Sequence, residues 1–445
     1  MNLGNSKKQL TKNVFSLTIV QIATYVLPLI SVPIISRIIG PDKFGVINFA
    51  AAYIVYFNLL IGYSFDFTAT RKIAREPDNE ATRNKVFSEV FYTQCLLFIF
   101  SSIVFIILLY TVPELKHNKT IVIYSFFICV AALFTQNWLF QAMQDLSKVA
   151  IFNLISRLLF SICILVLVKK QEDYIWQPLL IGVIQTLVAI WSFVWAYKRY
   201  NIKLLKLPLT NCFQVLWQER MIFFSLVFVN LYTSTNTFIL GLNQNPEQVG
   251  YFTAGQRLIV IAQSVLAIPL TQALYPFIGK AFGDSREKGL IIVQKLAPII
   301  VLIFGLASIL MFLFGPFLIL LFYGEKFAPA ISVFQVQSTI PLIIALSNIL
   351  GIQIMMNLGM DKLFFRITAL AGFISITLNL LTVKRWGYLA SSYNYIFTEI
   401  FILVIMYIVL RRQGLNAINS QFWKVSEIMK QLKPISKMFS AKQKL

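Results

Sequence analysis

Residues 12–75 read KNVFSLTIVQIATYVLPLISVPIISRIIGPDKFGVINFAAAYIVYFNLLIGYSFDFTATRKIAR. Two apolar runs, near 14–35 and 44–65, hold no Asp, Glu, Lys or Arg. About twenty residues of helix, rising 1.5 Å each, cross roughly 30 Å of hydrocarbon. Each run is therefore long enough to span a membrane, and the polar GPDK at 40–43 joins them as a hairpin turn. Lys7, Lys8 and Lys12 precede the first run, and Arg71, Lys72 and Arg75 follow the second, so the hairpin has both basic ends on one side. Cytoplasmic segments are the ones rich in Lys and Arg, which puts that side inside. The first run continues past the length of a signal-peptide core without a small-residue cleavage site and reads as a retained helix.

The rest of the chain repeats this grammar. Ten further runs lie near 87–110, 121–143, 149–168, 175–197, 217–240, 249–272, 293–322, 330–356, 363–383 and 387–410. The expectation is an all-α polytopic membrane protein of about 12 transmembrane helices. The composition agrees: of 445 residues, 58% are hydrophobic and 13% charged, and 40 are Phe. A soluble domain carries about 25% charge. The net charge of +21 would suggest nucleic acid in a soluble protein, but here the cations sit in short links between apolar runs. Of the 39 Lys and Arg, 28 fall on one alternate set of links and tails and 9 on the other. Both termini are expected in the cytoplasm. The chain divides into an N-terminal six-helix bundle at 1–197, a basic cytoplasmic linker at 198–216, a C-terminal six-helix bundle at 217–410 and a basic cytoplasmic tail at 411–445. In that tail Leu415, Ile418, Phe422, Val425, Met429 and Leu432 are spaced as an interfacial amphipathic helix requires, with a loose basic tail as the other reading. Cys95, Cys129, Cys163 and Cys212 have neither metal nor disulfide spacing.

An internal repeat supports the two halves. IIGPDKFGVINFAAAY from Ile38 and ILGLNQNPEQVGYFTAGQR from Ile239 both place a Gly, Gly45 or Gly250, after a polar turn, followed by a small apolar stretch with Ala50 or Ala254. Duplicated halves commonly frame a central pathway in transporters.

Ionisable groups inside the membrane are few, and each is costly unless it faces water or a partner. Arg257 lies eight residues into the eighth run beside Gln256, with Gln263 two turns on. A substrate pathway, a structural ion pair and snorkelling to the membrane face are the readings of Arg257. Arg157 stands mid-run near Asn153 and Ser156. Asp66 closes the second run before Arg71 and Arg75, where a pair would gate the cytoplasmic end. Glu399, midway along the last run, reads as a coupling carboxylate or as a protonated structural acid. Gln21, Thr24, Tyr25, Asn58, Gln136, Asn137, Asn230, Thr233, Ser234 and Asn236 suit a wet interior for an amphiphilic or sugar-bearing solute, though singly such residues are more often interhelical hydrogen bonds. Pro28, Pro33, Pro269, Pro276, Pro298 and Pro341 are expected to bend their helices.

No Walker loop, zinc motif or dinucleotide glycine pattern occurs, so neither cofactor nor metal is expected. The single histidine, His117, lies in a short external link, which leaves no histidine-centred catalytic triad. The longest internal links hold about twenty residues, too few for the catalytic segments of a membrane glycosyltransferase or polymerase.

The segments PIISRIIGPDKFGVINFAAAY at 33–53, FDFTATRKIA at 65–74, LYTSTNTFILG through EQVGYFTAGQR at 231–257 and LLFYGEKFAPA at 320–330 together resemble the polysaccharide exporters, most closely the O-antigen flippases of bacterial inner membranes. The likeness covers nearly all of residues 10–410. It implies two pseudo-symmetric six-helix bundles around a V-shaped cavity, in the superfamily of the multidrug and lipid II flippases. It implies translocation of undecaprenyl-pyrophosphate-linked oligosaccharide repeat units to the periplasmic leaflet. Partners implied are that lipid-linked sugar, membrane lipids, an O-antigen polymerase and a chain-length regulator. Cavity cations of the family are thought to meet the pyrophosphate, and Arg257 matches a position often basic in relatives. Arg37 and Arg71 lie in shared segments and also read as structural. No Arg or Lys lies within the first helix, which departs from the lipid II branch. A cation-coupled multidrug or small-solute exporter of the same superfamily is the alternative.

Overall fold

The computed structural model describes the backbone of residues 3–424, 426 and 427, and side chains from Ser31 onward except Val229, Tyr232, Thr233, Ile268, Pro269, Gln272, Ala273, Pro276 and Val425. Every regular element among these residues is helical. In chain order they are α1 (Leu3–Gly62), α2 (Phe65–Ala74), α3 (Glu80–Thr111), α4 (Pro113–His117), α5 (Lys119–Phe134), α6 (Asn137–Ala142), α7 (Leu146–Leu167), α8 (Trp176–Arg199), α9 (Leu209–Asn243), α10 (Pro246–Asp284), α11 (Arg286–Tyr323), α12 (Ala330–Gln337), α13 (Ile340–Asn348), a π-helical stretch (Ile349–Met356) and α14 (Asp361–Arg412).

The quoted hairpin is α1. Its turn is Gly40, at φ 76° and ψ 172°, a conformation that a residue without Cβ adopts freely. Gly387 breaks α14 in the same way, at φ 59° and ψ −143°. Among the described residues, eight helical stretches are long and apolar enough to cross a membrane. They include both broken helices, Ser31–Ala74 and Asp361–Arg412. Their outer faces are apolar: α11 exposes Leu306, Leu313 and Phe317 while burying Ser308. This inversion of the soluble pattern is what a hydrocarbon solvent selects. The chain is an all-α polytopic membrane protein.

Capping follows the local sequence. The Asn79 side chain accepts from the Thr82 amide at 3.1 Å and starts α3 with Glu80 in its first turn. Lys198 and Arg199 end α8, and Arg411 and Arg412 end α14, where cations complement the carbonyl terminus.

The contacts divide the chain into two compact units. Unit 1 comprises residues 1–230, 237–251 and 322–327; unit 2 comprises 231–236, 252–321 and 328–445. Unit 1 is built around Phe65, Phe87, Trp138, Leu139 and Phe140, with Tyr63 stacked on Phe223 at 4.2 Å. Unit 2 centres on Phe304, Ile354, Met355, Met406 and Leu410. Cys129 and Cys212 are buried, and all four cysteines are free.

The repeated hairpins meet inside unit 1. A Cβ on Gly45 would lie 1.6 Å from the Pro246 carbonyl oxygen, and one on Gly250 would lie 2.1 Å from that of Pro41. Each proline stands four residues before its own glycine, in PDKFG and PEQVG. The two repeats thus touch reciprocally, glycine of one against proline of the other. Phe44 sits edge-on to Tyr323 and Phe327 beside this contact.

Three expectations need amendment. The run at 121–143 is not one helix: Thr135 and Gln136 leave helical geometry and separate α5 from α6. Helix α11 runs through Pro298 and Pro316, whereas Pro341 opens α13 as a break should. The tail does not continue as an amphipathic helix from Arg411. Helix α14 stops at Arg412, Gly414 turns the chain at φ 74°, and Leu415 and Ala417 bury themselves in the unit 2 core. Arg286 donates to the Gln413 carbonyl at 2.8 Å and Gln294 to that of Asn416 at 2.6 Å, fixing the segment. The tail beyond Glu427 lies outside the described residues, as do the side chains of Gln21, Thr24, Tyr25, Pro28, Thr233, Pro269 and Pro276.

Candidate functional site

Unit 1 holds a half-open chamber of about 260 Å³ with a mixed polar and apolar lining. Asn58 comes from α1, Asp66 from α2, Gln94 from α3, Thr135 and Asn137 from either side of the α5–α6 break, Trp138 from α6 and Gln185 from α8. The break is local chemistry: the Thr135 hydroxyl donates to the Ala131 carbonyl at 2.7 Å, and Gln136 Nε2 donates to that of Leu133 at 3.1 Å. Side chains that bond their own backbone compete with helix continuation. Irregular backbone at membrane depth is tolerated where it lines a cavity. Gln94 and Trp138 lie deep, 3% and 1% exposed, while Asp66 and Gln185 are exposed at the rim. Gln136 Nε2 also reaches Gln94 Oε1, at a long 3.4 Å. Asn58 Oδ1, Gln136 Oε1 and Trp138 Nε1 are buried without a hydrogen-bond partner among the described residues. Buried polar groups are nearly always satisfied, so such a set indicates water or a ligand.

The expected gate pair does not form as read. Among the described residues Asp66 and Arg71 make no ion pair, and Arg71 is exposed. The pair in this region is Lys72 Nζ to Glu219 Oε1 at 2.7 Å, between α2 and the start of α9, with Glu219 nearly buried. Tyr63 donates to the Leu216 carbonyl at 2.8 Å close by. Beyond the end of α8, Tyr200 donates to Asp145 Oδ2 at 3.3 Å, and burial together with that carboxylate pushes its phenol up.

In unit 2, α10 carries Gln256, Arg257 and Gln263. Gly255 lets α10 close on α12, since a Cβ there would lie 2.7 Å from Val333. Arg257 is half-buried and, among the described residues, makes neither ion pair nor side-chain hydrogen bond. Gln256 and Gln263 are also half-buried, and Gln263 Nε2 lacks a partner among the described residues. Asn236 is fully buried and accepts from Asn379 Nδ2 at 2.7 Å, while Asn379 also donates to the Ser375 carbonyl at 2.8 Å. Gln337 reaches Ser392 at 3.3 Å, and Asn394 reaches Thr382 at 2.8 Å. Glu399 is 5% exposed on α14.

The residues read from sequence therefore fall into separate groups. The chamber gathers Asn58, Asp66 and Asn137. Asn236 goes to the Asn379 contact, and Asn230 turns back on its own helix, donating to the Leu226 carbonyl at 3.0 Å. Arg157 is half-buried on α7 and engaged in an interaction of its own. Gln94, Gln185, Trp138, Glu219 and Asn379 were not singled out by the sequence. Their only signal is a lone polar or indole side chain in an apolar run.

Comparison with known proteins follows the same lines. The model of the family described as polysaccharide biosynthesis protein matches residues 10–282. A relative from Escherichia coli (strain K12), named "Putative O-antigen transporter", is 28% identical over 93% of this chain and 99% of its own length. One of the same name from Shigella dysenteriae is 27% identical over 89% and 98%. Among solved structures, the lipid II flippase MurJ in an inward closed conformation superposes with a TM-score of 0.72 at 11% identity, covering 97% of this chain and 93% of that one. An inward-facing multidrug resistance MATE family transporter of the MOP superfamily gives 0.67 at 13%, covering 90% and 98%. At these identities the structural matches speak for the fold.

Proposed function

This chain belongs to the polysaccharide biosynthesis protein family, and on that premise we propose that it is a flippase of the bacterial inner membrane, carrying undecaprenyl-pyrophosphate-linked oligosaccharide repeat units of O-antigen type from the cytoplasmic to the periplasmic leaflet. In this reading twelve spans form two six-helix bundles, at 1–197 and 217–410, joined by the basic linker 198–216, with both termini cytoplasmic and the basic tail from 411 inside. The relatives named for O-antigen transport support the substrate class.

The observation that carries the reading is Arg257, half-buried in α10 with no ion pair or side-chain hydrogen bond among the described residues. An unpaired guanidinium inside a membrane protein is expensive to keep. A pyrophosphate repays it with charge-assisted, bidentate hydrogen bonds. Gln256 and Gln263 on the same helix offer amides to the adjoining groups, while the polyprenyl chain stays in lipid. Arg157 and Asn230 contribute to the polar path, with Asn236 supporting it through its contact with Asn379, and Asp66, Arg71 and Glu399 contribute to gating or coupling. A polymerase and a chain-length regulator take the product on the far side.

Replacing Arg257 with Ala removes a charged hydrogen-bond donor worth about 1.5–3 kcal/mol, roughly tenfold to a hundredfold in substrate affinity. Surface glycan, measured by gel and lectin staining, is expected to fall accordingly at unchanged membrane abundance, with Arg257→Lys partly restoring it. Undiminished glycan in Arg257→Ala would remove that residue from the pathway. Glu399, buried on α14, favours a second reading as a cation-coupled small-solute exporter. That reading expects ion-dependent efflux and intact surface glycan after gene deletion.

A further inference from the structure

Within unit 1, the chamber has no role in an account built on Arg257 alone. We infer that this chamber is a glycan subsite that holds one sugar ring of the transported oligosaccharide, an inference that rests on the flippase reading.

Its size fits. About 260 Å³ is room for many water molecules and for one six-membered sugar ring with its hydroxyls. Its chemistry fits as well. A sugar hydroxyl donates once and accepts twice, so it needs acceptors and donors side by side. Asn58 Oδ1 is an acceptor and Trp138 Nε1 a donor, both buried and unsatisfied among the described residues. Among the described residues the Gln94 side chain is held only by its long bond from Gln136, which a ligand can replace. At the rim, Asp66 accepts strongly from vicinal hydroxyls and Gln185 both donates and accepts.

Other occupants fit less well. Among the lining residues the one acidic or basic side chain is Asp66, with neither Lys nor Arg, so the chamber offers no cation to a phosphate. A bare cation needs several oxygens converging at about 2.3–2.6 Å. Among the described residues no three His, Cys, Asp or Glu gather in that way, and the chamber is far wider than an ion.

The test is saturation-transfer NMR on the full-length protein in detergent micelles. The probes are free glucose, galactose, mannose, rhamnose, N-acetylglucosamine and N-acetylgalactosamine, with sodium chloride titrated separately. At least one sugar is expected to receive saturation at its ring protons. That signal should fall at least fivefold in Asp66→Asn and in Gln185→Ala, and stay unchanged in Asn153→Ala, on an exposed face of α7. Gln185→Ala also covers the case in which Asp66→Asn fails to fold. Absence of transfer to every sugar, transfer undiminished in both chamber variants, or a chamber-dependent response to sodium alone would overturn the subsite. The flippase reading fails separately: it is lost if gene deletion leaves surface glycan intact, whereas lost glycan with no sugar binding removes the subsite alone.

Discussion

The interiors of the two units give the same kinds of side chain very different amounts of space. In unit 1, Asn58, Gln94, Asn137 and Gln185 surround an open space of about 260 Å³, and Asn58 Oδ1 has no partner among the described residues. In unit 2, Asn236, Asn379, Asn394 and Gln337 reach one another or hydroxyls at 2.7–3.3 Å, while Asn236 Nδ2, Asn379 Oδ1 and Gln337 Oε1 have no partner among the described residues, and the void beside Ala345 and Gln353 holds about 20 Å³. An amide in an apolar helix is therefore not a functional mark in itself. Whether it is glue or a binding group depends on the space in front of it more than on a single unmade hydrogen bond.

The contrast can be broken first by filling both spaces. Ala345→Phe overpacks unit 2 and is expected to lower stability by about 3 kcal/mol, near the upper end for added bulk in a filled core. Ala132→Phe, in the wall of the unit 1 chamber, is expected to leave the melting temperature in detergent nearly unchanged while abolishing glycan assembly. Equal destabilisation by the two would mean that the chamber is no freer than the core.

The next largest effect comes from cutting one amide in each unit. Asn379→Ala deletes donors to Asn236 and Ser375 and is expected to cost about 2 kcal/mol, since a buried group loses its partner. Asn58→Ala, whose oxygen has nothing to lose among the described residues, is expected to change stability by no more than about 0.5 kcal/mol and to reduce glycan assembly. Thermal melts of both variants decide the matter, and a larger loss at Asn58 would reverse the assignment.

A smaller effect sharpens the boundary of unit 1. Lys72→Met leaves Glu219 buried without its cation. Removal of a partner from a fully buried pair costs about 3–5 kcal/mol, but the lysine end is open to solvent, which reduces the expectation to about 1 kcal/mol. Glu219→Gln added to Lys72→Met should restore most of it. No recovery in the double variant would show that the loss arises elsewhere than in the ion pair.

What was legible in the sequence was local. Charge-free runs and the polar turn at 40–43 were enough to place most of the helices, because hydropathy and turn chemistry act over a few residues, whereas Gly387 as the point of the second break was seen only in the structure. The paired glycines of PDKFG and PEQVG marked a repeat before their contact was known. The chamber was legible only in part. Asn58, Asp66 and Asn137 stood out as polar groups in apolar runs, but Gln94 and Gln185 sit alone in theirs and converge only through packing between helices. The break at Thr135 and Gln136 contains neither Gly nor Pro, and its cause is side-chain competition for carbonyls. Asp66, Arg71 and Arg75 suggested a pair by proximity, whereas Lys72 finds Glu219 across a long sequence separation that no local pattern encodes. The tail's spacing fitted an amphipathic helix, but burial of Leu415 and Ala417 and two bonds to its carbonyls hold its first part in another shape.

The most direct test of the whole account is translocation itself. Purified protein reconstituted into liposomes carrying an undecaprenyl-pyrophosphate-linked oligosaccharide with a fluorescent label would be followed by access of an impermeant quencher. The account predicts that label moves between leaflets with the protein present, and that movement falls about tenfold or more with Arg257→Ala. Label that stays in its original leaflet while the wild-type protein is present, under an imposed ion gradient as well as without one, would contradict it.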